Sequence, residues 1–241
     1  MIKKVLISAA GRGTRMLDLA QDKPKHLIEV KGKPFLYYLL SNLKKTGFEE
    51  MTMVVGYKKE FMDKFLEEYG SEFKINLVNQ FDILGEKRYG TVCPLECTED
   101  ILKGESFLAV YGDNLYSVED LKRFNIDDDY CYIAGLPHKE PENYGVLHVD
   151  KDGFLKDIIE KPKEYVGNLI NTGLYKFTPE VYKHLKEVKL SPRGEYELTD
   201  VINILAQKKK MKAKDLKGIW LDFGKPEDIS KVAEYLNKKN D

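Results

Sequence analysis

The chain has 241 residues, with 39 Lys and Arg against 40 Asp and Glu and a formal net charge of −1 at pH 7. That length suits one large α/β domain with a well-buried core, and the charge balance gives no general attraction to nucleic acid or an anionic membrane, so an anion site must be local. No apolar run approaches a spanning length, and Met1-Ile2-Lys3-Lys4 leads straight into a strand, which predicts a cytoplasmic protein without signal peptide or membrane partner.

Val5 to Ile7 reads as a buried strand running into Ser8-Ala9-Ala10-Gly11-Arg12-Gly13-Thr14-Arg15-Met16. Glycines there let the backbone approach a polyphosphate, and successive N–H groups make an anion nest. Arg12, Arg15 and Lys25 would supply charge beside it. A dinucleotide fingerprint would need glycine where Met16 stands, and the nearest match to a Walker loop, Gly85-x4-Gly90-Thr91, lacks the lysine. Pro34 opens a helix whose Phe35, Leu36, Leu39, Leu40 and Leu43 share a face, and Gly47 stops it. Met51 to Val55 is a strand, Phe61 to Tyr69 a helix ended by Gly70, and Ile75 to Asn79 a third strand. This alternation predicts right-handed βαβ units with ligands beyond the carboxyl ends of the strands. Gln80 to Thr91 reads as a loop over the site. Ser106 to Tyr111 is a strand ending in Gly112-Asp113-Asn114, where an aspartate could hold a hard cation or cap a turn.

The second half is richer in strands, at Tyr130 to Leu136, Tyr144 to Val149, Phe154 to Glu160 and Leu169 to Phe177, with a turn at Asp150-Lys151-Asp152-Gly153. A helix with Leu198, Val201, Ile202 and Leu205 on one face follows, and another spans Pro226 to Lys238. Cys93, Cys97 and Cys131 form no C-x-x-C pair and predict reduced thiols; His26, His138, His148 and His184 show no metal-ligand spacing.

Gly11-x-Gly13-Thr14-Arg15-Met16 followed by Lys23-Pro24-Lys25 resembles the signature of the sugar-1-phosphate nucleotidyltransferases, the nucleotide-sugar pyrophosphorylases. Glu142-Asn143-Tyr144-Gly145-Val146, Glu160-Lys161-Pro162, Asn171-Thr172-Gly173, Ser191-Pro192-Arg193-Gly194-Glu195-Tyr196-Glu197-Leu198-Thr199-Asp200 and Trp220-Leu221-Asp222-Phe223-Gly224 match blocks of the same family in the same order. The likeness spans Leu6 to about Tyr235. It implies a Rossmann-like α/β fold with a mixed, mainly parallel sheet flanked by helices, in one domain over 1–241. Residues to about 125 would form the nucleotide half and residues from about 126 the sugar-phosphate half.

The resemblance also implies the reaction. A sugar 1-phosphate oxygen attacks the α-phosphorus of a nucleoside triphosphate in line, giving a nucleotide sugar and pyrophosphate, with no covalent protein intermediate. Arg15 is expected on the β- and γ-phosphates, Lys25 on the α-phosphate and Lys161 on the sugar phosphate. Ala9, Ala10, Gly11, Arg12, Gly13, Thr14, Gln80, Gly85, Gly90 and Thr91 are expected around the nucleotide, with Gln80 reading a pyrimidine edge. Asn114, Tyr144, Gly145, Glu160, Asn171 and Glu195 are expected around the sugar, and Asp113 and Asp222 on Mg2+. Ile83-Leu84-Gly85-Glu86-Lys87-Arg88-Tyr89-Gly90 departs from the family's compact Leu-Gly-Thr-Ala run, so the base preference stays open. The Ser-Pro-Arg-Gly-Glu block is most similar to the glucose-1-phosphate thymidylyl/uridylyl branch, which favours dTTP or UTP with glucose 1-phosphate. A cytidylyl- or guanylyltransferase acting on another phosphorylated metabolite is the enzymatic alternative, and a silent nucleotide-sensing or assembly subunit the alternative of another class. A glycosyltransferase would show Asp-x-Asp after a strand, which Gly112-Asp113-Asn114 does not supply. The sequence leaves a homo-oligomer open.

Overall fold

The computed structural model describes residues 1–11, 16, 19, 23–56 and 58–238. The chain begins with β1 (Lys4–Ala9), a small hairpin of β2 (Glu29–Val30) and β3 (Lys33–Pro34), and helix α1 (Phe35–Lys44). It continues through β4 (Glu50–Val55), α2 (Lys59–Tyr69), β5 (Ile75–Asn79), and the short helices α3 (Gln80–Leu84), α4 (Cys93–Glu96) and α5 (Glu99–Leu102). Then come β6 (Phe107–Tyr111), β7 (Asn114–Tyr116), α6 (Val118–Arg123), β8 (Cys131–Pro137), β9 (Gly145–Val149), β10 (Leu155–Glu160) and β11 (Leu169–Phe177). The last elements are a 3-10 segment (Pro179–Glu187), α7 (Leu198–Gln207), β12 (Met211–Asp215), β13 (Trp220–Asp222) and α8 (Asp228–Lys238).

Nine strands form one sheet, ordered β10-β9-β11-β6-β1-β4-β5, with β8 paired to β11 and β12 to β8. β6, β1, β4 and β5 are mutually parallel, as short helical crossovers require. Strand β11 runs antiparallel to β6 and joins the two halves through Leu174↔Val110 and Tyr175↔Ala109. Only β10 and β11 run against the rest, so the expected mixed, mainly parallel sheet is present.

Both faces of the sheet are covered, which is why its central strands read as continuous apolar runs. Val5 and Ile7 point to the side packed by α1, while Leu6 points to the side packed by α7. The predicted stripe of α1 is wholly buried, and Phe35 stacks on Phe223 with ring centroids 4.2 Å apart. That stack ties α1 to the residue after β13. No helix among the described residues is long and apolar enough to cross a membrane.

Candidate active site

The carboxyl ends of β1, β5 and β6 open into a cavity of about 470 Å³ closed on its other side by the second half. Ala10, Gly11, Lys25, Gln80, Gly90, Thr91, Asp113 and Asn114 line it from the nucleotide side, and Tyr144, Gly145, Glu160, Lys161, Asn171, Glu195 and Asp222 from the other. Residues far apart in the chain thus meet in one crevice. Ala9 ends β1 with its side chain in the core. Arg12, Gly13, Thr14 and Arg15 lie outside the described residues.

The two aspartates are brought together by a two-strand ladder. β7 and β13 pair antiparallel with Asn114 opposite Asp222, and the Phe223 N–H donates to the Asp113 carbonyl at 2.8 Å. Lys25, in a short 3-10 turn after Pro24, forms an ion pair with the Asp113 carboxylate. Asn114 Nδ2 donates to Asp113 Oδ1 at 3.1 Å, and Trp220 Nε1 donates to Asn114 Oδ1 at 2.8 Å. Burial would raise the Asp113 pKa, but Lys25 and His26 beside it outweigh that and hold it below the ordinary aspartate value. Burial, reinforced by Lys25, pushes His26 down to about 4, so the imidazole is neutral at pH 7. Its Nδ1 has no hydrogen-bond partner among the described residues. The described residues contain no cluster of three or more metal-ligating side chains. Two carboxylates lining one cavity, Asp113 in the turn before β7 and Asp222 at the end of β13, nevertheless fit Mg2+, which takes one or two carboxylates plus phosphate and water oxygens.

On the opposite wall, Glu160 pairs in register with Gly145. A Cβ on Gly145 would lie 2.7 Å from Ile158 Cδ1 and 3.1 Å from Glu160 Oε2, so any larger residue would push the ends of those side chains aside. Burial raises the Glu160 pKa, against the pull of Arg193 and Lys161. Lys161 donates its N–H to the Tyr144 carbonyl at 3.0 Å and holds φ +44°, a left-handed conformation unusual for a side-chain-bearing residue. Asn171 Nδ2 donates to Tyr175 Oη at 2.7 Å, while its Oδ1 accepts from the Gly173 N–H at 3.0 Å. Arg193, to which sequence reasoning gave no role, also lines the cavity. Its guanidinium lies 3.1 Å from Glu197, 3.6 Å from Glu160 and 3.9 Å from Glu195. The signal was available: a cation two residues before Glu195, inside a block already assigned to the sugar.

The stretch read as a loop over the site needs correction. Gln80–Leu84 is helical: the Asn79 side chain accepts from the Phe81 N–H at 3.2 Å, and Gly85, φ +71°, donates to the Phe81 carbonyl at 3.0 Å. An N-cap and a C-terminal glycine bracket five residues, which is enough for one turn. Gly85 is therefore an exposed helix stop and does not line the cavity. Gly90 does, and at φ +146° a Cβ there would lie 2.1 Å from the Tyr196 carbonyl oxygen. Around it the halves are stitched together. Tyr196 donates its N–H to the Tyr89 carbonyl at 3.0 Å, Val92 to the Tyr196 carbonyl at 3.2 Å, and Leu198 to Thr91 Oγ1 at 2.8 Å.

A doubly covered α/β sheet with paired carboxylates and cations at the mouth of its parallel strands defines a phosphate-handling nucleotide-binding protein. The sequence pattern of the family described as "Nucleotidyl transferase" matches residues 4–239, and the chain belongs to that family. It is 33% identical to the "UTP--glucose-1-phosphate uridylyltransferase AglF" of Haloferax volcanii, over 98% of this chain and 97% of that protein. It is 34% identical to a "Bifunctional sugar-1-phosphate nucleotidylyltransferase/acetyltransferase" of Sulfurisphaera tokodaii, over 96% of this chain and 55% of that one, and so spans about half the length of such bifunctional relatives. A solved "UDP-glucose pyrophosphorylase complexed with UDP-glucose" superposes with a TM-score of 0.85 at 24% identity, over 99% of this chain and 100% of that one, which establishes the fold.

Proposed function

We infer that the chain transfers a nucleotidyl group from a nucleoside triphosphate to a sugar 1-phosphate, releasing pyrophosphate. The observation that carries this reading is the meeting of Lys25, Asp113 and Asp222 with Glu160 and Lys161 in a single cavity. Two anions must be held together before either can react, and fixed cations on opposite walls serve that need without reorganisation during the step. Lys25 neutralises the α-phosphate as attack begins, and Lys161 grips the incoming sugar phosphate. Glu160 and Glu195 accept from sugar hydroxyls. Arg15, beyond the described residues, is assigned by its sequence motif to the departing pyrophosphate. Asp113 and Asp222 are the residues that would hold Mg2+, which supplies charge withdrawal from the phosphoryl oxygens. The sheet shared by the two halves supports reading 1–241 as one nucleotidyltransferase domain.

For the substrates we propose UTP or dTTP with glucose 1-phosphate. Gln80 is 2% exposed and lines the cavity beyond β5, where its amide can pair with a pyrimidine edge. The likeness to a uridylyltransferase supports the same choice. Pyrophosphate release measured with ATP, CTP, GTP, UTP and dTTP against a panel of sugar 1-phosphates tests it. Turnover with UTP or dTTP and glucose 1-phosphate is expected; turnover with GTP alone would overturn the pyrimidine assignment.

A further inference from the structure

The charged stretch Glu86 to Tyr89 is unexplained by the reaction, and Arg88 does not line the cavity. It is nonetheless held from two sides. Its Nε donates to Glu96 Oε2 at 2.7 Å, and its Nη2 pairs with Glu96 Oε1, a bidentate clasp onto α4. The guanidinium carbon lies 3.9 Å from the centre of the Tyr196 ring, so the same side chain also rests on the second half. Arg88 thereby fixes the position of its own backbone, and the use of that backbone is specific. Its carbonyl oxygen accepts from Gln80 Nε2 at 3.2 Å.

A carbonyl oxygen can only accept, so the Gln80 amide must present its NH2 to Arg88 and turn its Oε1 away. The flipped amide would set two acceptors against each other in a buried position. An Oε1 aimed at a base favours a ring N–H, which uracil and thymine carry at N3. Cytosine has a lone pair at N3, which opposes an oxygen facing that position, and it could satisfy the oxygen only by shifting to offer its N4 amino group.

We propose that Arg88 is a positioning residue that sets base preference: clasped by Glu96 and Tyr196, it holds the Gln80 amide in the one orientation that selects uracil or thymine over cytosine. This rests on Gln80 being the base reader, and the test separates the two ideas. Binding of UTP and of CTP is measured by calorimetry, and kcat/KM for each with glucose 1-phosphate, in wild type, Arg88→Ala, Glu96→Gln and Gln80→Leu. Circular dichroism and melting report folding of each variant. Glu96→Gln breaks the clasp while leaving Arg88 and the cavity residues in place, and so serves if Arg88→Ala folds poorly. The UTP-to-CTP ratio is expected to fall by about tenfold in Gln80→Leu and Arg88→Ala, and by a smaller factor in Glu96→Gln, as loss of one oriented hydrogen bond implies. A ratio lost in Gln80→Leu but kept in both clasp variants overturns the role of Arg88. A ratio unchanged in Gln80→Leu overturns the base-reading assignment itself.

Discussion

Asp222 lies directly opposite Asn114 on the β7–β13 ladder, and so beside Asp113. A three-residue strand therefore carries one carboxylate of the proposed metal pair to the other across more than a hundred residues of chain. Asp113→Asn and Asp222→Asn are each expected to cut Mg2+-dependent turnover by roughly a hundredfold or more. Their far-UV circular dichroism should match wild type, and Mn2+ binding followed by electron paramagnetic resonance should weaken in both. Turnover and Mn2+ affinity both unchanged in either variant would remove that residue from the site.

The ladder is itself anchored by a buried acid. Asp120, with a fully buried side chain, accepts from the Lys217 N–H at 2.9 Å, the Gly218 N–H at 2.7 Å, Ser117 Oγ at 2.9 Å and Arg123 Nη1 at 2.9 Å. Asp120→Ala leaves those donors unmatched and should cost about 2–4 kcal/mol in urea unfolding. Burial opposes ionisation, but the donors prevail and hold its pKa below the ordinary value. A depressed carboxyl pKa stabilises the fold above the unfolded-state value and ceases to do so as pH falls through the folded-state value. The stability gap between wild type and Asp120→Ala should therefore be widest near neutrality and narrow below about pH 4. A gap constant with pH would contradict the assignment.

Lys161 combines a left-handed backbone at φ +44° with the cation assigned to the sugar phosphate. Lys161→Gly should be more stable than Lys161→Ala by about 1 kcal/mol, because glycine takes that conformation without strain. Both variants should raise KM for the sugar 1-phosphate by about tenfold or more while leaving KM for the triphosphate nearly unchanged, as loss of one charged contact implies. Equal rises in both KM values would refute the division of the cavity between two anions.

Trp220 is the sole tryptophan of the chain. It lines the cavity and packs edge-on against Tyr144, ring centroids 5.7 Å apart. Titration with glucose 1-phosphate should shift or quench its emission saturably, and Lys161→Ala should move the midpoint to higher concentration. Emission unaffected at concentrations that saturate turnover would place the sugar elsewhere.

What the sequence made legible was what periodicity and punctuation encode. Pro34 and Gly47 bracketed α1, and the strands at Ile75–Asn79 and Leu169–Phe177 were read at their observed limits. Strand β12, Met211–Asp215, was missed because its alternating lysines give an outer strand with little apolar signal. The strand ending at Asp222 was legible, but its pairing with β7 was not, because three residues carry no period that points to a partner more than a hundred residues away. The helix α3 was hidden by its brevity, although Asn79 and Gly85 announced both ends. Lys25, Asp113, Glu160 and Lys161 could be named because each stands in a short motif that resembles one of the family's. Arg193 stood in such a block too, but its place beside Glu160 as well as Glu195 and Glu197 arises only where β10 meets the segment before α7.

The proposed reaction joins two phosphorylated molecules in this one crevice. Phosphorus NMR of the wild-type protein with UTP, Mg2+ and glucose 1-phosphate tests it most directly. Coupled doublets of a nucleotide sugar are expected to appear one for one with pyrophosphate. Release of inorganic phosphate without a diphosphate-linked sugar, there and with every other triphosphate and sugar 1-phosphate pair, would contradict it.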